Sequence, residues 1–153
     1  MGFFVGANPP IIRGLTKFFA LFLSLLLISA TCAFALPEPE EVVSGTAEFS
    51  YPDNTTLNIN ASDRAIINYR SFDIRENESV IINLPDVNNA ILNRVLGDKA
   101  SDILGNLTCN GIFVLVNRNG IYFGPKANID VGGLIASTRD ITNSDFLDSK
   151  YVF

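Results

Sequence analysis

From Gly45 onward no uninterrupted apolar run exceeds five residues, and each is bounded by Asn, Asp, Gly, Ser or Pro. Long amphipathic helices have no room in such a chain, because a helix needs an apolar stripe sustained over three or more turns. The runs cover 46–49, 57–59, 65–69, 72–74, 80–84 and 90–92, then 103–107, 112–116, 121–123, 127–131 and 134–136. They are rich in Ile, Val, Leu and aromatic residues, the pattern of short strands separated by turns. One stretch, Asn88 to Val95, offers a helical face through Ala90, Ile91, Leu92 and Val95. Gly97 ends it quickly and its asparagines oppose it, so a strand with a turn fits equally well.

Asparagine marks the ends of these runs. Asn58, Asn60, Asn83, Asn93, Asn110, Asn117, Asn119 and Asn128 all fall at or beside them. The side-chain amide caps turns and the residue tolerates left-handed backbone. A chain turning every five to eight residues suits a coil of stacked parallel strands, in which no coil buries its apolar face alone. A small antiparallel sandwich or barrel uses the same punctuation. Periodicity leaves both open.

The N-terminus reads as an export signal. Arg13 and Lys17 precede an apolar run from Phe18 to Ala30, and the small-residue triplet Ala33-Phe34-Ala35 sets the expected cleavage after Ala35. The run is shorter than the roughly 20 residues a membrane span requires. Cys32 follows Ser29-Ala30-Thr31, a poor match to a lipid-attachment site, which normally has Gly, Ala or Ser directly before the cysteine. Cleavage leaves Cys109 as the mature chain's single cysteine, so no internal disulfide forms. Residues 36–44 read as an acidic, proline-containing lead-in rather than an element, and 45–153 as one domain.

Removing residues 1–35 takes away two bases and no acid, leaving 9 basic against 16 acidic residues. An acidic chain without a basic patch does not suit nucleic acid. No histidine is present. The commonest general base, the usual metal ligand and any Ser-His or Cys-His pair are therefore missing, and no enzyme, metal or cofactor function is expected. The acid pairs Asp63 with Asp73 and Glu76 with Glu78 lack metal-loop spacing and read as solvated loop charge. Cys109 reads as a small buried thiol.

Four ordered blocks carry a resemblance. Ala65 to Ile74 (AIINYRSFDI) is similar to a block written aIINWxSFxI, with Asn68, Tyr69 and Phe72 at its marked positions and Tyr69 where Trp is usual. Ile91-Leu92-Asn93-Arg94-Val95, followed by Ser101 to Leu107 with Gly105, resembles LNRV…S.I.G.L. Asn110-Gly111 through Ile121 is similar to NGxVfLINPNGI, and Val131 to Thr138, with Gly132, Gly133 and Ser137, to vGGLvAST. On these motifs the chain resembles the haemagglutination-activity, or two-partner-secretion, domain at the N-terminus of filamentous haemagglutinins, secreted haemolysins, high-molecular-weight adhesins and contact-dependent inhibition toxins. Arg118 stands in place of the family's turn proline, which frees φ and restores a backbone donor.

The resemblance implies an all-β fold: a right-handed parallel β-helix, a single-stranded solenoid of the pectin-lyase type, with short accessory strands. It also implies recognition in the periplasm by a TpsB-type outer-membrane barrel with POTRA domains, followed by secretion or cell-surface display. Stacking of the first coils outside the barrel would template the next by backbone pairing and draw the chain outward without ATP. The secretion motif would be Asn117, Arg118, Asn119 and Gly120. A tight turn whose amides satisfy buried backbone groups accounts for the same residues, and both roles are compatible. Gly132 and Gly133 are expected at a sharp corner, and Asn93 and Arg94 at a solvated turn or an interaction surface.

The domain is expected to be cut short at its C-terminal end, with adhesin, haemolysin or toxin activity and any host or bacterial surface ligand belonging to a downstream region. Two other readings stay beside this one. A β-helical polysaccharide lyase or hydrolase would need Asp clustered with Lys or Arg on one face of successive coils. A self-contained surface binding protein would be secreted without a partner barrel.

Overall fold

A computed structural model describes Gly2 and residues 35–153. The expected signal sequence lies outside these residues except for its last, Ala35. Among the described residues ten strands and one short helix follow in order: β1 (Glu38–Ser44), β2 (Ala47–Asp53), β3 (Thr56–Ala61), β4 (Ala65–Ser71), β5 (Ser79–Asn83), β6 (Ala90–Val95), β7 (Ser101–Ile103), β8 (Asn106–Asn117), β9 (Ile121–Phe123), β10 (Asn128–Ser137) and α1 (Asn143–Leu147).

Strand pairing resolves the ambiguity left by the sequence in favour of the parallel solenoid. β3, β5, the first half of β8 and the first half of β10 stack in parallel as one face. β4, β6 and the second halves of β8 and β10 form the next. β7 pairs with β9 on a third, extended by a bridge from Ile74 to Ile103. Each coil thus visits all three faces before the chain rises one level.

Register turns the sequence into ladders. Leu57, Val80, Leu107 and Ile129 occupy one rung position, and Ile59, Ile82, Cys109 and Val131 the next. The first three residues of each ladder are buried within one core with Ile67, Tyr69, Ile91, Phe113 and Leu115. Burying each such aliphatic side chain contributes about 1.5–3 kcal/mol before chain entropy is counted. Tyr69 meets Phe72 edge-on at 5.1 Å, and Phe72 meets Phe113 at 5.7 Å, within the same core.

The β4–β6–β8 face is apolar on both sides, which explains why its strands read as continuous runs rather than alternating ones. Its outer residues Ile66, Ala90, Leu92, Val114 and Val116 are covered by Ile141 and Phe146. Thr142 caps α1 by accepting from the Asp145 amide. Arg64 fixes the segment in place. Its guanidinium lies 5.4 Å from the Phe146 ring centre and donates to the Phe146 carbonyl, the Tyr151 hydroxyl and Ser149 Oγ.

Four sequence expectations are corrected. Residues 38–44 are not a lead-in but strand β1, paired antiparallel with β4, while β2 pairs antiparallel with β3. An edge strand tolerates Pro39 and three glutamates because one side of its ladder needs no partner. Asn93 and Arg94 lie inside β6, not in a solvated turn. The 103–107 run is divided, ending β7 at Ile103 and starting β8 at Asn106 with Gly105 between. The loop acids are not merely solvated. Asp63 accepts the Ala90 amide at 3.0 Å, Asp73 accepts the Asp102 amide at 2.9 Å, and Glu78 is 2% exposed. The ambiguous segment at Asn88–Val95 is a turn at Asn88 followed by the strand β6.

Candidate functional site

The residues singled out in the sequence divide into two groups. Tyr69, Phe72, Asn93 and Asn117 are buried, while Arg118, Asn119 and Gly120 form a corner at the end of β8. The corner follows from the residues that build it. β8 ends with Asn117, which shares the inward ladder of Tyr69 and Val95. Its side chain replaces the strand pairing lost where the chain turns. Nδ2 donates to the Lys99 carbonyl at 3.0 Å and to Ser101 Oγ at 2.9 Å, while Oδ1 accepts the Asn119 amide at 2.9 Å.

Asn119 then reaches one coil down and donates to the Gly97 carbonyl at 2.8 Å. Gly120 closes the turn with its amide on the Asn117 carbonyl at 3.1 Å and φ at +116°, a conformation open to glycine and strained for other residues. Its carbonyl accepts from Ser101, tying the corner to β7. Arg118 is left at the apex. Its backbone amide makes no turn or loop hydrogen bond to another main-chain carbonyl among the described residues, so the donor gained by losing the proline is not used there.

Below the corner lies Arg94, on the outward ladder with Asn68, Val116 and Ser137. Arg94 Nε donates to Asp140 at 2.8 Å and its Nη2 to the Ile141 carbonyl at 2.8 Å. Arg118 approaches the other Asp140 oxygen at 3.4 Å. The two pairs are unequal. Arg94 is 11% exposed and holds the segment before α1, whereas Arg118 is 75% exposed and its pair contributes close to nothing in water. A shallow cavity of about 270 Å³ opens between Leu96, Gly97, Val116 and the Arg94–Asp140–Arg118 group.

The remaining motif residues have structural places. Asn110 bonds both backbone groups of Leu84 at 2.7 Å, acting as a surrogate strand where β8 bends between the two faces. A Cβ on Gly111 would collide with the Asn89 carbonyl, and one on Gly105 with the carbonyls of Arg75 and Glu78. Gly132 and Gly133 sit at the register shift where β10 bends over the same corner. Ser137 closes a local turn with Arg139. Burial pushes the Tyr69 phenol far above its ordinary range, and its hydroxyl has no partner. Cys109 is free and buried, and burial raises its thiol pKa.

Asp140, Ser101 and Arg64 were not expected in these roles. Their partners lie on other coils, so spacing along the chain carries no signal. Among the described residues no group of acids and cysteines is arranged to hold a metal ion.

Residues 35–153 match the family model described as the TPS secretion domain. The chain belongs to the TPS secretion domain family. This TPS domain is 35% identical over 137 residues to a heme/hemopexin-binding protein of Haemophilus influenzae, covering 84% of the chain and 15% of that protein. A second heme/hemopexin-binding protein, from H. influenzae strain Rd, is 38% identical over 125 residues, covering 78% of the chain and 14% of the relative. The chain therefore spans about one seventh of these curated relatives. Among solved structures, the crystal structure of the HMW1 secretion domain from H. influenzae matches with a TM-score of 0.71 and 37% identity, covering 74% of this chain and 30% of that one. The TPS fold is thus shared in sequence and in three dimensions.

Proposed function

We propose that this TPS domain is the N-terminal address of a large bacterial exoprotein of the haemagglutinin or adhesin type. A signal peptide over residues 1–35 takes it across the inner membrane, and a TpsB-type outer-membrane barrel with POTRA domains recognises it in the periplasm. The finished exoprotein is secreted or held at the cell surface. The work is binding rather than catalysis.

The observation that carries this reading is the corner at Asn117–Gly120, within a chain that matches the TPS model along residues 35–153. Buried Asn117 fixes the turn from inside, while Arg118 offers an exposed cation beside a shallow cavity. A guanidinium on a rigid corner suits a carboxylate or carbonyl of a partner strand.

The name of the Haemophilus relatives suggests haem-linked ligands for the exoprotein as a whole. This chain spans about one seventh of those relatives, so such ligand binding is assigned to the rest of the exoprotein.

The test is co-expression with a TpsB-type barrel carrying POTRA domains, scoring release into the medium. Arg118→Asp is expected to leave the domain folded and to cut release severalfold. Deletion of 110–121 is expected to abolish it. Release that persists after the deletion, or that does not need the barrel, overturns the proposal.

A further inference from the structure

Among the described residues Glu78 is the one buried side chain of the Asp, Glu, Lys and Arg class, at 2% exposure. It sits in the turn between Ile74 and β5. Oε2 accepts the Arg75 amide at 2.9 Å, and Oε1 accepts the amide of Ala35 at 3.0 Å. No ion pair among the described residues includes Glu78. A buried carboxylate held only by neutral amides is an expensive arrangement, and a cation at the same place would relieve it.

The position of the Ala35 amide gives that cation a source. Leu36 is buried at 8% exposure in the main core, so the chain is fixed immediately after Ala35. Ala35 is also the residue after which the leader is expected to be cut. Hydrolysis there consumes one water. Ala35 leaves with the new carboxylate, and Leu36 keeps the amine, which takes up a proton at neutral pH. The nitrogen that becomes charged is one residue beyond the donor that Glu78 loses, and so starts roughly 3–4 Å along the chain from it.

We propose that Glu78 is the receptor for the α-ammonium of Leu36, so that removal of the leader replaces a neutral amide at a buried carboxylate with an ion pair. The first coil reaches its full stability only in the processed chain. The leader itself, by occupying Glu78 with an amide, leaves the N-terminal cap looser before processing. This rests on the signal-peptide reading above and is separable from it.

The test uses chain exported with its leader and recovered after processing, whose intact mass gives the first residue. The α-amine is acetylated selectively at about pH 6.5, where lysines stay protonated, and urea unfolding is followed for wild type and Glu78→Gln. Acetylation is expected to lower the folding equilibrium constant of wild type by about tenfold or more, the size of a charge-assisted hydrogen bond. In Glu78→Gln the free and acetylated chains are expected to coincide. Should that variant not fold, the acylation rate of the wild-type α-amine decides: it is expected to be several times slower in native protein than in urea. Equal rates, or a wild type indifferent to acetylation, overturn the proposal while leaving the leader reading intact. A mature chain that begins elsewhere than Leu36 overturns both the cleavage position and the proposal.

Discussion

Asn117 turns an ordinary strand end into a fixed corner by making four hydrogen bonds, three of them 3.0 Å or shorter, from a side chain with no exposure. Truncation to Ala leaves the Lys99 carbonyl, Ser101 Oγ and the Asn119 amide short of partners, and each such loss costs about 1–3 kcal/mol. Asn117→Ala is therefore expected to lose about 2–4 kcal/mol in urea unfolding. Arg118→Pro should behave in the opposite way. Its amide forms no turn or loop bond to the main chain and its ion pair is exposed, so fixing φ is expected to raise stability by about 0.5 kcal/mol. A clear loss in that variant would show that the corner needs the freedom arginine brings. Tyr69→Phe removes a buried hydroxyl that bonds to nothing and is expected to leave stability unchanged or raise it by up to about 1 kcal/mol.

Elements depend on one another through acids that bridge coils. Asp73 joins the turn after β4 to β7 by accepting the Asp102 amide. Desolvation is the main cause that lifts its carboxyl above 3.8, with the nearby Asp102 and Glu78 charges adding to it. The fold thus binds the proton more tightly than the unfolded chain does, so stability from this group is greatest in acid and falls as pH rises through the folded-state value. Asp73→Asn is expected to flatten the stability profile above about pH 4, which a series of urea midpoints would check. The strands of the β4–β6–β8 face were legible in the sequence because two-sided burial makes them apolar without interruption. β1 was not. Glu38, Pro39, Glu40 and Glu41 look like a linker, and only the unpaired side of β4 makes them a strand. Asn110 was read as marking the end of a run, yet β8 runs through it because the Asn110 side chain pairs with both backbone groups of Leu84. The corner residues Asn117 to Gly120 were legible as a motif, while Asp140 beneath them was not, since its partners lie on other coils. Glu78, read as loop charge, is buried and accepts the Ala35 amide, a contact between distant segments that no local pattern records.

At the scale of the molecule, the two ends of the coil differ. β1 and β2 cover the first coil with antiparallel strands, whereas among the described residues β10 pairs only with β8. The free backbone groups of β10 are expected to make the purified chain associate as concentration rises; sedimentation should show it, and a monomer at every concentration would speak against it. The same asymmetry has a mechanical meaning. Among the described residues a further parallel layer has a place only along β10, and in the export proposed above each layer laid down would hinder the thread beneath from slipping back. Random motion of an emerging chain would thereby be rectified into forward travel, with backbone pairing as the pawl.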